Sequence, residues 1–382
     1  MPGPLRPRLG FNILETTLQL VQEKNLMNMI SIKKITLFAV VVIAAVCIGV
    51  SCKKASTPTG NNGNTGNNNP PPADTTTIPV TPYKTLNYLY SISGKKTVAG
   101  IHNREPNATP AVWTDSIYKT TGKFPGFWSG DFLFEQDNIN NRQIMINEAI
   151  TQWKNGALVQ LMWHACNPAS GEPCGYDSSG VLSAMTNQQW TDLMTDGTTI
   201  NTEWRSMMDE ICIYLQQLKD KNIEVLWRPL HEMNQSSFWW GGRPGPNGTR
   251  KLYQMMHDYM VKTKGLTNLV WVWDLQDFST LNDDVNAYNP GTSYYDIAAL
   301  DVYDGSGYTS NKYNTMVAAA AGKPIAIGEC ETLPTAAQLL SQPKWTFFMS
   351  WSELTFQGNS TAQLKALYTA PNVVTLDKMP GW

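Results

Sequence analysis

After Tyr83 the chain alternates eight short apolar runs with longer amphipathic segments, and no other feature restricts its fold so strongly. The runs are TVAGIHN (97–103), PGFWSGDF (125–132), ALVQLMWHA (157–165), EVLWRPLHE (224–232), NLVWVWDLQ (268–276), DIAALDVYD (296–304), KPIAIGEC (323–330) and WTFFMSWSE (345–353). Most are apolar almost throughout, as parallel strands covered on both faces must be. Helical patterns cover 110–121, 141–155, 201–220, 249–264, 311–321 and 335–341, with 361–370 after the last strand. The connection 281–295 reads as more loop than helix. Eight β-then-α units predict a (β/α)8 TIM barrel, a single α/β domain over 83–382. An open doubly wound sheet is disfavoured, because no glycine fingerprint for a dinucleotide or a P-loop follows any run.

The residues before the barrel read as targeting sequence. Lys33 and Lys34 precede an uncharged stretch from Ile35 to Val50, and Ser51 leads into Cys52. That stretch is shorter than the roughly 18 residues of a spanning helix and has the layout of an export signal. Val50-Ser51-Cys52 resembles a bacterial lipoprotein box, which would make Cys52 a lipid anchor, although Gly49 departs from the usual aliphatic residue. Residues 1–52 are therefore read as leader and signal, with Met27 or Met29 as the natural start. Residues 53–82 are rich in Asn, Gly, Thr and Pro and cannot bury enough apolar area to offset ordering, so they read as a flexible tether. The expectation is an exported bacterial protein held at the cell surface or in the periplasm, touching the membrane only through Cys52. Which membrane is left open.

Composition narrows the partners. With 29 basic against 31 acidic residues, the chain lacks the charge excess that grips a phosphate backbone, which argues against nucleic acid. Hydrophobic residues at 42% exclude bulk disorder. Of the cysteines in the barrel, Cys166 and Cys174 share one loop and can pair, while Cys212 falls on a helical pattern as a core residue. A zinc site from His164, Cys166 and Cys174 is the rival, but its spacing matches no common zinc pattern. A monomer is favoured; the sequence does not fix the oligomeric state.

The polar residues gather at the C-terminal ends of the runs, the active-site face of a barrel. These are His102 and Asn103, Asp131, His164, His231 and Glu232, Asp274 and Gln276, Asp301 and Tyr303, Glu329, and Trp351 and Glu353. Glu232 on the fourth run and Glu329 on the seventh would stand nearly opposite across the mouth. Two such carboxyl groups are what cleavage of a glycosidic bond requires, one to protonate the leaving oxygen and one on the other side of the sugar carbon. Parity places Ile325, Ile327 and Glu329 on one face, so isoleucines filling the barrel interior would aim Glu329 at the mouth. Glu331 shares that parity but lies past the strand and ranks second. Leu226, Arg228, Leu230 and Glu232 likewise share a face, and an Arg228 buried there needs an acidic partner.

WRPLHEMNQSSFWWGG (227–242) resembles the acid/base segment of glycoside hydrolase family 26, best known as endo-β-1,4-mannanases of the clan of retaining (β/α)8 enzymes. The resemblance spans about Tyr83 to Trp382, with its most specific part in HEMN…FWWGG. It implies Glu232 as acid/base and Glu329 as nucleophile. It further implies substrate-binding roles for Arg228 and His231 beside the acid/base, for His164 near subsite −1, and for Asp301 and Tyr303, the tyrosine hydroxyl bonding the nucleophile. Trp351 would floor subsite −1. Where an aromatic residue commonly precedes the FWW triplet, this chain has Ser237, so a stacking platform there is in doubt. Trp239 and Trp240, in a Gly-rich loop, are read as substrate platforms, while Trp271 and Trp273 are read as core.

The expected reaction is cleavage of internal β-1,4-mannosidic bonds of mannan, galactomannan or glucomannan by double displacement, with no metal and no organic cofactor. The β-mannan substrate is the expected partner. Rivals are a β-1,3-xylanase or mixed-linkage β-glucanase of the same family, and an inactive surface glycan-binding protein on a degenerate barrel. Both carboxylates being present weighs against the last. Ser-His-Asp chemistry is disfavoured because no G-x-S-x-G elbow follows a strand.

Overall fold

The computed structural model describes residues 79–382, so the signal, Cys52 and most of the tether lie outside the described residues. Each predicted run forms a strand: β1 (Thr97–Asn103), β2 (Phe127–Asp131), β3 (Leu158–Trp163), β4 (Val225–Pro229), β5 (Leu269–Gln276), β6 (Ile297–Val302), β7 (Ile325–Cys330) and β8 (Trp345–Ser350). All pair in parallel in chain order, and pairing of β1 with both β8 and β2 closes the ring. A two-residue strand, β9 (Val373–Val374), adds to the lower part of β1. This is the (β/α)8 barrel.

Helices cover the outside. In chain order they are α1 (Lys84–Ile92), α2 (Val112–Thr121), α3 (Gln136–Asn140), α4 (Arg142–Lys154), α5 (Asn187–Met194) and α6 (Thr199–Lys219), then α7 (Thr249–Asp258), α8 (Leu281–Ala287), α9 (Ser310–Ala319), α10 (Ala336–Ser341), α11 (Leu354–Gly358) and α12 (Thr361–Tyr368). The connection read as loop contains α8, because Leu281 and Val285, one turn apart, both bury. The short helices α3 and α5 were not foreseen, and neither was α1. Leu86, Leu89 and Ile92 of α1 join Val98, Phe127, Leu158, Leu226 and Ile297 in one apolar cluster that fills the barrel interior. Glu224 fixes that helix by accepting the backbone N–H groups of Lys84 and Thr85, each at 2.8 Å, where helix amides have no partner of their own. Thr81, assigned to the tether, exchanges hydrogen bonds with Asn87 and so belongs to the folded module.

Two cores follow from strand alternation. Inward residues form the interior cluster; outward ones such as Val159, Trp227, Trp271, Trp273, Ile325 and Ile327 pack against the helices. Trp271 and Trp273 are therefore core, as read. Ile325 and Ile327 are not interior residues: Ala326 takes that place on β7. The parity argument for Glu329 rested on the wrong face, and a different device aims that residue.

Candidate active site

That device is a bulge. Leu300 pairs with Ile327, but Asp301 pairs with Glu329, leaving Gly328 as an extra residue that rotates Glu329 onto the interior face. A β-carbon on Gly328 would lie 2.4 Å from an Asp274 oxygen and 2.5 Å from an Asp301 oxygen, so only glycine fits beneath these carboxylates.

The inward positions above the apolar layer bring Arg228, Asp274, Asp301 and Glu329 together, all buried. Arg228 pairs with Asp274 through Nε at 3.1 Å, with Glu329 Oε1 through Nη1 at 2.8 Å, and with Asp301 through Nη2. Burial alone would weaken the guanidinium's hold on its proton, but these three acids outweigh it and keep Arg228 charged. Tyr303 donates its hydroxyl to Glu329 Oε2 at 3.0 Å. Burial and the charge on Glu329 push that hydroxyl well above its ordinary pKa, so it stays a donor. Both oxygens of Glu329 are thus held, and although burial raises its pKa, Arg228 opposes the rise.

Glu232 is placed by a turn, not by strand parity. Leu230 and Glu232 adopt positive φ angles of 49° and 48°, beyond the end of β4, and Leu230 faces the outer core. The Glu232 N–H donates to Asp274 Oδ1 at 2.9 Å. The side-chain amide of Gln276, its nitrogen turned toward Glu232, donates to that carboxyl at 2.8 and 3.1 Å. Among the described residues no cation pairs with Glu232, and burial, then the charges on Glu329 and Asp274, hold its pKa well above the usual carboxylate range. One oxygen each of Glu232, Asp301 and Glu329 falls within 4.8 Å of the others.

The histidines line the same rim. His164 Nδ1 meets Asp131 Oδ2 at 2.5 Å, and Asp131 also accepts the His164 N–H at 3.1 Å. Against its burial, this contact draws Asp131 down to about 2. His231, 4.5 Å from His164 between ring centroids, is driven well below its ordinary pKa by burial and then by neighbouring positive groups, so it is neutral. Trp351, half-buried, stacks on His102 with ring centroids 4.2 Å apart at the same rim.

Trp239 and Trp240 are not platforms. They are 2% and 0% exposed, with indole N–H groups donating to the carbonyls of Ala165 and His231. Trp240 also stacks on Phe238 at 4.4 Å, so the aromatic triplet braces the turn that carries His231 and Glu232. The composition of the loop suggested exposure; its rings fold under it because Phe238, Trp204 and the histidines offer apolar cover. Glu331 is also away from the rim, packed against Gly358 of α11.

The exposed aromatic of the cleft is Tyr176, which sequence reasoning passed over. It is 55% exposed and lies 6.1 Å from both Phe134 and His164 between ring centroids. It stands two residues past the loop 166–174 that the Cys166–Cys174 disulfide closes, with Cα atoms 5.9 Å apart, and that bond removes both sulfurs from any zinc set. That loop was the available signal.

The model of glycosyl hydrolase family 26 matches residues 76–378. The chain belongs to that family. A mannan endo-1,4-β-mannosidase of Thermothelomyces thermophilus is 32% identical over 320 residues, covering 78% of this chain and 61% of the relative. One from Bacillus subtilis is 30% identical over 326 residues, covering 78% and 85%. Among solved family 26 structures, the GH26A protein of Muricauda sp. MAR_2010_75 shares 34% identity with a TM-score of 0.73, over 77% of this chain and 95% of that one. A β-mannanase from a symbiotic protist of the termite Reticulitermes speratus, complexed with gluco-manno-oligosaccharide, shares 25% identity with a TM-score of 0.68, over 78% and 93%. In this family 26 chain the carboxylates therefore sit on a barrel whose relatives carry the same architecture.

Proposed function

We propose that this chain is a retaining endo-β-1,4-mannanase that works by double displacement. The observation carrying the reading is that oxygens of Glu232 and Glu329 lie within 4.8 Å of each other, one carboxylate with both oxygens held by Arg228 and Tyr303 and the other buried with no cation on it among the described residues. Retaining enzymes hold their carboxyl pair about 5–5.5 Å apart, whereas inverting ones leave about 6.5–9.5 Å for a water. Glu329 attacks the anomeric carbon while Glu232, protonated, gives its proton to the departing sugar oxygen. Esterification removes the charge on Glu329, so the pKa of Glu232 falls. Glu232 then takes a proton from the water that releases the sugar. Neutral His231, His164 and the Trp351 floor line subsite −1. The mannan assignment is supported by the names of the relatives in Thermothelomyces thermophilus and Bacillus subtilis.

Digestion of mannan, galactomannan, xylan and mixed-linkage β-glucan, with product length and anomeric configuration followed by NMR, tests this. Short β-configured manno-oligosaccharides are expected first; α-configured products, or a preference for xylan or glucan, would overturn it. The same proposal places the enzyme at a bacterial surface, lipid-anchored through Cys52. Palmitate labelling should mark the full chain and spare Cys52→Ser, and equal labelling of both would end that part.

A further inference from the structure

Tyr303 holds the carboxylate read as nucleophile, yet it begins a loop. β6 ends at Val302, and Asp304, Gly305 and Ser306 are exposed. A hydroxyl on such a segment keeps a 3.0 Å hydrogen bond only if the backbone beneath it is fixed. The fixing group is Asp277, fully buried just past β5. Its Oδ1 accepts the N–H of Tyr303 at 3.0 Å and of Asp304 at 3.1 Å, while its own N–H donates to the Asp301 carbonyl at 3.0 Å.

A buried carboxylate needs a counter-charge. Lys312, in the first turn of α9 and 6% exposed, supplies it through Nζ at 2.6 Å from Asp277 Oδ2. The same ammonium reaches Asp304 Oδ1 at 2.7 Å and the Gly307 carbonyl at 2.9 Å, which uses all three of its donors. The loop from Tyr303 to Gly307 is wrapped around this one charge. The Thr309 side chain caps α9 by accepting the Lys312 N–H, so the helix that delivers the lysine is itself anchored.

We propose that the Lys312–Asp277 ion pair is a positioning device for the reaction. It touches neither Glu232 nor Glu329, and it acts by holding Tyr303 against Glu329. The proposal rests on the reading of Glu329 as nucleophile. Its signature is non-additivity: once Tyr303 has lost its hydroxyl, the pair has nothing left to position.

The test is a double-mutant cycle of Lys312→Met with Tyr303→Phe, measured on whichever β-glycan the wild type cleaves fastest. Lys312→Met should lower kcat about tenfold with KM changed less than about twofold, and should add almost nothing in the Tyr303→Phe background. Multiplying losses in the two backgrounds, or an unchanged kcat in folded Lys312→Met, would overturn the proposal. A role confined to stability would lower Tm and reduce activity equally in both backgrounds. Should Lys312→Met not fold, Asp304→Ala takes away one acceptor and leaves the pair. It should lower kcat about two- to threefold in wild type and not at all beside Tyr303→Phe, and any other pattern counts against the pair. Glu329→Ala is assayed in parallel. Activity retained there sinks the nucleophile reading, whereas additivity in the cycle sinks the positioning role alone.

Discussion

The end of β7 and the turn after β4 each deliver one carboxyl group to the same point, by opposite means. Glu329 stays within its strand, turned inward by the bulge at Gly328 and fixed by an arginine and a tyrosine. Glu232 leaves its strand on a left-handed turn and is fixed by neutral donors, its own N–H on Asp274 and the amide of Gln276. Burial raises the pKa of both, but Arg228 opposes the rise strongly only at Glu329, while the charge on Glu329 adds to it at Glu232, so the proton is held more tightly on Glu232. In the proposed mechanism these chemically identical side chains take different roles because an arginine contacts only one of them. The strand that arbitrates is β5: it carries neither carboxylate, yet Asp274 contacts both Arg228 and the Glu232 backbone, and Asp277 holds the Tyr303 loop.

Removing the cation should erase the difference with the largest effect. Arg228→Met leaves Asp274, Asp301 and Glu329 buried without their partner, at a cost of about 3–5 kcal/mol in unfolding free energy. Urea titration checks the stability. Surviving folded protein should bind a proton on Glu329 and hydrolyse little, so near-normal activity would show that the carboxylates are distinguished by something else.

Next in size is the bulge. Gly328→Ala drives a methyl group into Asp274 and Asp301 and should cost about 1–3 kcal/mol, as overpacked interiors do. A Tm unchanged from wild type would mean that β7 can shift without penalty. A smaller change sharpens the charge argument itself. Since the anion on Glu329 helps hold the Glu232 pKa up, Glu329→Gln should lower it, read by carbon-13 NMR titration of the Glu232 carboxyl. An unchanged or raised value would take Glu329 off the list of causes and leave burial and Asp274. In wild type the same shift carries the basic limb of the pH–rate profile above the ordinary carboxylate range. The smallest effect belongs to Tyr176, just past the disulfide-closed loop. Tyr176→Ala should raise KM about two- to tenfold, the worth of one stacked ring, with kcat nearly constant. Equal KM values would leave Tyr176 outside the sugar path.

Much of this was legible in the sequence, for uneven reasons. The eight strands could be read because doubly covered strands must be apolar throughout, and the strand-end residues because a barrel exposes one rim. Glu329 was legible as a carboxylate at a strand end, but the argument for its direction from Ile325 and Ile327 fails, since both face the helices; the bulge turns the carboxylate back, and only Gly328 hinted at it. Trp239 and Trp240 misled because a loop rich in glycine says nothing about which way its rings fold. Asp274 and Gln276 were visible at a strand end but had no assigned task, because their work depends on contacts with other strands. Asp277 and Lys312 are 35 positions apart, and no local pattern joins them.

The division of labour between Glu329 and Glu232 is tested most directly by azide rescue with an aryl β-mannoside or mannobioside bearing a good leaving group. Glu232→Ala should still form the glycosyl-enzyme and hand it to azide, giving the β-glycosyl azide. Glu329→Ala should react poorly alone and, with azide in the place of the missing carboxylate, give the α product. The opposite pairing of variants and products would exchange the two roles, and rescue of Glu331→Ala in place of Glu329→Ala would move the nucleophile to a residue that packs against Gly358 outside the rim.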